Sequence, residues 1–421
     1  MFVLWCGCEA PMVPDGPVEH ASESTQLLPP TTETVGDSSF VDSLLANALS
    51  LDTVLLAVAW SDGWPIRTDH GTFLFIREGE VDGFGVAGPF SDWQPAAFEP
   101  HAGFGLVELA VDDDQGAVYK FTDGVNFEAD PWARSYDYDE NGEISLVRPS
   151  AETARLDRWP DVPGISEGLP DRDLAVYVPA GSGPWPVLYA MDGQNLFDPL
   201  AIWGGWHLQD ALVSVAPVLV VGITNTADRF DEYTHVADDI GYAEWVGGRA
   251  SAYTGLVEAV IRPHIESTYG STGVDGLMGS SLGGLVALYI AAEDPSAWDY
   301  VASLSGTLGW GRFAADGPVM EELWVPLGPN GVVVYADSGG GPGADGICQD
   351  QDGDGFPEDD PDAADNYCTN RQFVDALAAA GFTWDVDLFH WWEADAPHNE
   401  IAWGARVEVP LAQFAALSGG E

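Results

Sequence analysis

Residues 274–290 constrain the fold more than any other stretch of the chain. An apolar run, Val274–Met278, leads into Gly279-Ser280-Ser281-Leu282-Gly283-Gly284 and then into a second apolar run, Leu285-Val-Ala-Leu-Tyr-Ile290. Read as strand, sharp turn and helix, this is the context that a nucleophile elbow requires. Glycines at 279 and 283 remove Cβ atoms where strand and helix crowd the turn. Ser281 can then take a strained backbone conformation and project its Oγ into a cleft. The helix N-terminus behind it favours developing negative charge. A bare Gly-x-Ser-x-Gly is common by chance; its place between a strand and a helix gives it weight.

The surrounding pattern is the alternation such a turn needs. Asp173–Val178 and Pro186–Met191 read as strands, a helix is expected from Trp206, and Val218–Ile223 reads as a buried strand. Ser251–Tyr269 carries apolar residues near helical spacing. Tyr300–Leu304 and Val332–Ala336 are further strands, and Asn370–Ala380, Thr383–Trp392 and Ile401–Leu417 read as helix, strand, helix. Alternation of this kind predicts an α/β fold, a mainly parallel sheet with helices on both faces. Strands buried on both sides explain continuous apolar runs such as Val218-Leu-Val-Val-Gly-Ile.

A serine hydroxyl needs a neighbouring imidazole to take its proton. In this fold type the base follows the last strand, after both serine and acid. His398, in Ala396-Pro-His-Asn-Glu400, is so placed, whereas His390 lies inside the strand run and reads as structural. The acid belongs in the loop after Val332–Ala336. Asp345 and Asp337 are the favoured candidates; Asp365 comes into range only if the insertion between them folds away.

The front of the chain differs. Short β-like runs at Val54–Trp60, Thr72–Arg77, Phe84–Ala87, Gly105–Ala110 and Ala117–Thr122 are separated by Gly, Asp and Pro at the spacing of a small sandwich. Residues 50–150 are thus expected to form a small all-β immunoglobulin-like sandwich. A Pro-rich joint, Trp159-Pro-Asp-Val-Pro163, would separate it from an α/β domain over 165–418. Residues 9–45, rich in Pro, Ser, Thr and Glu, read as a disordered tether, so 1–45 is start plus tether. The start, ending in Gly7-Cys8, resembles the tail of a bacterial lipoprotein signal with a lipid anchor at Cys8. That would place the protein outside the cytoplasm: extracellular, periplasmic or on the outer surface. Export would permit a Cys348–Cys368 disulfide.

Composition removes whole classes of partner. Fourteen Lys+Arg against 68 Asp+Glu give a formal charge of −54, and Lys120 is the single lysine. Such a polyanion repels phosphate backbones, so nucleic acid is excluded. No run approaches the ~20 apolar residues of a transmembrane span.

Several ordered stretches carry a resemblance. Leu188-Tyr-Ala-Met-Asp-Gly-Gln-Asn-Leu-Phe-Asp198, Val220-Val-Gly-Ile-Thr-Asn225, Arg229-Phe-Asp-Glu-Tyr-Thr234, Gly279–Gly284 and His398-Asn-Glu-Ile-Ala-Trp403 together resemble the putative-esterase family of α/β-hydrolases. The resemblance implies a serine esterase needing no cofactor for catalysis, with an oxyanion hole from the backbone N–H groups of Leu282 and Gln194. It also implies that Arg229, Glu232 and Tyr233 line or brace the cleft; separately, the Trp-rich segments at Trp203, Trp206 and Trp310 suit a carbohydrate ester, which makes Trp206 a substrate-binding candidate. At the front, Val86-Ala-Gly-Pro-Phe-Ser-Asp-Trp93, Tyr119-Lys-Phe-Thr-Asp-Gly124 and Asp130-Pro131 resemble early-set domains related to glycogen-binding modules. Many such domains merely pack against a catalytic domain, so sugar binding is the less favoured reading, with Trp93 and Trp132 read as packed residues before sugar-stacking ones.

The insertion at 345–368 holds Asp350-Gln-Asp352-Gly-Asp354-Gly355, matching Asp-x-Asp-x-Asp-Gly. Alternating carboxylates and a turn glycine can wrap oxygens around one Ca²⁺. Position twelve is Pro361 rather than Glu, so the run resembles a thrombospondin type-3 repeat. Glu358 and Asp359 would complete the shell, and Cys348 and Cys368 would clamp its ends around a structural Ca²⁺.

Two functions follow. The first is a secreted or surface-anchored serine esterase acting through an acyl-enzyme on a small-molecule or carbohydrate ester, acetylated or feruloylated; siderophore esters, strongly anionic, match a −54 chain poorly. The second is a non-catalytic, calcium-dependent glycan-binding surface protein. Oligomeric state is not legible in the sequence.

Overall fold

The computed structural model describes residues 37–418 apart from 113, 165–167, 240, 242–244, 343–346, 351–352 and 358–364. Among the described residues, eight strands of one large sheet form the half of the molecule that carries Ser281, with a small hairpin of Ala237–Asp238 and Val246–Gly247 apart from it. The eight are β1 (Arg155–Val162), β2 (Arg172–Val178), β3 (Trp185–Met191), β4 (Leu219–Ile223), β5 (Ser271–Ser280), β6 (Tyr300–Leu304), β7 (Val333–Ser338) and β8 (Leu388–Trp392). Their spatial order is 8-7-6-5-3-4-2-1. The six strands from β8 through β4 run parallel, and β2 and β1 are antiparallel to their neighbours.

Strand periodicity divides the core in two. Along β3, Val187, Tyr189 and Met191 face one apolar cluster while Leu188 and Ala190 face the other. The first cluster is closed by helix α6 (Leu282–Glu293) and by the helical run over 250–269; the second is closed by Leu208 and Leu212 and by α10 (Glu408–Leu417). The expected α/β arrangement is present, with helices on both faces of a mixed rather than wholly parallel sheet.

The front of the chain departs from expectation in three places. Val54–Trp60 is not a strand. It lies in helix α2 (Leu51–Ala59), whose N-cap Ser50 accepts the N–H of Thr53 and whose buried residues Val54, Leu55, Val58 and Ala59 recur at helical spacing. Residues Asp37–Leu45 form helix α1, so the expected tether is ordered at its end. The supposed Pro-rich joint is strand β1 itself. It pairs with Ser135–Asp139 on one edge and β2 on the other, so the large sheet runs without interruption into the front strands. A separate four-stranded sheet, built around Phe73–Glu78 and Phe104–Leu109, faces Val118–Thr122 across a core of Phe73, Phe75, Val86, Tyr119 and Phe121.

Candidate active site

The site lies beyond the C-terminal ends of the parallel strands, where loops diverge. Ser281 joins β5 to α6 with φ 56° and ψ −124°, a conformation that costs on the order of 1–3 kcal/mol and persists only where its surroundings enforce it. The enforcement is visible: a Cβ at 279 would overlap the backbone of Gly283, and one at 283 would press against Met191 and Asp192. The Ser281 N–H donates to the carbonyl of Leu304 at 3.0 Å, tying the turn to β6. Leu282 opens α6, so its N–H is among those with no intrahelical acceptor.

His398 lies in the loop between β8 and α9 (Glu400–Arg406), with one edge of its ring against Trp403. Its Nε2 is 2.9 Å from Ser281 Oγ. Its Nδ1 is 2.7 Å from a carboxylate, and that carboxylate is Asp365. Asp365 directly precedes the N-cap of helix α8 (Tyr367–Ala380). Its other oxygen accepts the hydroxyl of Ser305 at 2.6 Å and the N–H of Gly339. Burial works against its charge. Hydrogen bonding and charge from His398, with the Ser305 hydroxyl and the N–H of Asn366, nonetheless hold the carboxyl below its usual range.

This corrects the expected acid. Asp337 is the penultimate residue of β7 and fully buried, but its Oδ1 is 3.0 Å from Arg406 and its Oδ2 accepts the hydroxyl of Tyr335. It faces an arginine, not the imidazole. Asp345 lies outside the described residues. His390 is structural, as expected: its Nδ1 is 2.9 Å from the Ala336 carbonyl inside the sheet.

The Asp192-Gly193-Gln194-Asn195 turn borders the Ser281–His398 pair on both sides. Asp192 touches the start of α6 at Gly283, and the amide of Asn195 donates to Glu400, two residues beyond His398. Arg229 clamps Asp192 with two 2.8 Å hydrogen bonds, and Gln194 Oε1 accepts the N–H of Asn225. Gln194 is thereby tied to the segment that follows β4. Glu232 and Tyr233 do not line a cleft, since both are 0% exposed. Glu232 forms a two-point ion pair with Arg172, and Tyr233 accepts the N–H of Asp192. Trp206 is buried against Trp403. These three brace the site rather than touch a ligand. Sequence reading missed two exposed aromatics, Phe230 and Phe313, that pack on buried Trp310; Trp310 stands three residues after Thr307, whose hydroxyl is 3.3 Å from Ser281 Oγ.

Cys348 and Cys368 are bonded, closing the acidic insertion just beyond Asp365. Within it, both oxygens of Asp350 accept backbone N–H groups, from Gly353 at 2.7 Å and Gly355 at 3.0 Å. Asp354 accepts the N–H of Phe356 and lies 3.6 Å from Arg312. Asp352, Glu358 and Asp359 lie outside the described residues. Among those described, no group of three or more His, Cys, Asp or Glu could hold a metal ion. No described helix is long and apolar enough to cross a membrane.

The family model described as "Putative esterase" matches residues 169–413, more than half of the chain. The uncharacterized protein YbbA of Bacillus subtilis (strain 168) is 28% identical over 156 residues, 35% of this chain and 60% of that protein, so less than two thirds of its length is matched. Among solved structures, an IroE-like serine hydrolase from Shewanella oneidensis aligns over 63% of this chain and 79% of its own, at 20% identity and a TM-score of 0.45. Siderophore hydrolase EstA from Aspergillus nidulans aligns over 62% and 95%, at 17% and 0.47. The enterobactin esterase FES from Shigella flexneri aligns over 82% and 94%, at 14% and 0.44. Likenesses this distant carry no statement about substrate.

Proposed function

We propose, from the premise that this chain belongs to the putative-esterase family and is a carboxylic ester hydrolase, that Ser281, His398 and Asp365 are its catalytic triad. The observation that carries this reading is the single imidazole bridging a strained serine at 2.9 Å and a buried carboxylate at 2.7 Å. Ser281 Oγ attacks the ester carbonyl while its proton passes to His398 Nε2. The tetrahedral oxyanion is held by the N–H groups of Leu282 and Gln194; one such donor is worth roughly 3–4 kcal/mol. His398 then protonates the departing alcohol, leaving an acyl-serine. Water attacks that acyl group, giving its proton to His398, and the acid leaves as Ser281 recovers its hydrogen. Asp365 keeps the imidazole in the tautomer whose Nε2 accepts.

The substrate side favours neutral esters. Arg229, the cation beside the oxyanion turn, is already neutralised by Asp192, which leaves it poorly disposed to bind anionic siderophore esters. The exposed faces of Phe230 and Phe313 suit a flat apolar acyl group, so feruloyl-type esters on a carbohydrate fit better than acetyl ones. At the front, a cavity of about 330 Å³ lined by Trp93, Phe127, Lys120, Asp139 and Asn141 supports a sugar contact there. Structural calcium at the insertion belongs to the same reading, supported by the all-oxygen donors and the backbone curled onto Asp350. So does export with a lipid anchor at Cys8. Short-chain chromogenic ester hydrolysis by wild type and Ser281→Ala tests the core of it. A rate lost to background supports the esterase; equal rates would favour the glycan-binding alternative.

A further inference from the structure

Behind Asp365 lies a second serine in an unusual conformation. Ser305 follows β6 with φ 49°, next to Ser281, which follows the neighbouring strand β5. It is fully buried. Its hydroxyl has three partners: Arg406 Nη2 at 2.6 Å, Trp403 Nε1 at 3.1 Å and Asp365 Oδ2 at 2.6 Å. A hydroxyl offers one donor and two lone pairs, and neither guanidinium nor indole N–H can accept. Both lone pairs are therefore used, and the hydroxyl hydrogen must point at Asp365.

Arg406 extends the connection. Its Nη2 is 3.0 Å from Asp337 Oδ1 and 3.8 Å from Asp365 Oδ2. The Ser305 N–H donates to Asp337 as well, at 3.1 Å to Oδ1. Two buried carboxylates thus share one guanidinium. With both ionised, one negative charge is balanced by Arg406 and one remains to stabilise an imidazolium at His398. We propose that Ser305, oriented by Arg406 and Trp403, is a positioning residue that aims Asp365 at His398, and that Asp337 balances Arg406 so that the charge of Asp365 is left for the imidazole. This role rests on the triad reading above.

Among the described residues, the other charged or titratable groups facing this network are Tyr335 on Asp337, Tyr300 beside Asp337 within the sheet, and Glu400 near His398. None is altered by the test. Asp337→Asn keeps the shape and removes one negative charge, so Arg406 then opposes Asp365. The acid limb of kcat/KM, which reports protonation of the catalytic base, is expected to move to lower pH. Arg406→Gln leaves two unbalanced carboxylates, and the limb is expected to move to higher pH. One charge at this range corresponds to about half a unit or more. Ser305→Ala is expected to lower kcat about tenfold with KM unchanged, since no substrate touches it. A merely structural role would change melting temperature and leave the limbs in place. Limbs coincident with wild type in Asp337→Asn, which is near-isosteric even if Arg406→Gln does not fold, would overturn the proposal. Wild-type hydrolysis by Ser281→Ala is a different result and would overturn the triad on which it rests.

Discussion

Replacing Asp365 by Asn separates the observed acid from the expected one. The carboxylate is fully buried, so water cannot replace it. Its Oδ2 is met by three donors: the Ser305 hydroxyl, the Gly339 N–H and, at longer range, Arg406. Oδ1 meets one protein donor besides His398, the Asn366 N–H at 2.8 Å, so with more donors on the other side an asparagine should turn its carbonyl oxygen toward Ser305, Gly339 and Arg406 and its NH₂ toward His398 Nδ1. The imidazole would then carry its proton on Nε2, facing Ser281, and could not take the serine proton. Enforcing the wrong tautomer costs about 10⁴ in kcat, or about 5.5 kcal/mol of barrier. Asp337→Asn leaves the imidazole contact untouched and is expected to stay within about tenfold of wild type. Steady-state hydrolysis of a p-nitrophenyl ester near neutral pH reads both. The reasoning is refuted if Asp365→Asn keeps more than a tenth of wild-type kcat while Asp337→Asn loses the larger factor.

Three further outcomes follow from particular contacts. Glu232→Ala strands Arg172 in the core, so urea unfolding should show a loss of about 3–5 kcal/mol, with KM of the folded enzyme unchanged; a raised KM at full stability would restore Glu232 to the substrate. Burial pushes the Asp130 carboxyl up to about 6, against the hydrogen bonds of Tyr119 and Trp132. The folded state then holds that proton more tightly than the unfolded one, so wild type loses up to about 3 kcal/mol as pH rises from about 4 to 6. Asp130→Asn should lack that loss, and a wild-type–variant difference independent of pH would contradict it. EDTA should lower the melting temperature if the insertion wraps Ca²⁺, and an unmoved melting curve would count against the ion.

Legibility in the sequence followed how local the determining physics was. Ser281 could be read because strand, turn glycines and helix occupy one short segment. His398 could be read because chain order after the last strand excludes His390. The acid could not. Asp337 stands where a strand-end acid belongs, and nothing in its neighbours announces that Arg406, 69 residues later in the numbering, occupies it. Asp365 reaches His398 only because an insertion closed by Cys348–Cys368 returns to the sheet. The Val54–Trp60 run misled because β-branched and apolar residues suit either element. The cap at Ser50 and the spacing of buried positions decided for helix. Glu232 and Tyr233 were recognisable as a motif, but burial, which only tertiary packing reveals, makes them braces. The continuity of the large sheet through β1 depends on pairing between distant segments and left no local mark beyond prolines.

The most direct measurement is covalent. Incubation with a p-nitrophenyl phosphonate, followed by intact mass and peptide mapping, should give one adduct per chain, on Ser281, formed at a rate that collapses in His398→Ala. Adduct formation at another residue, or labelling of Ser281 that is indifferent to His398, would contradict the account.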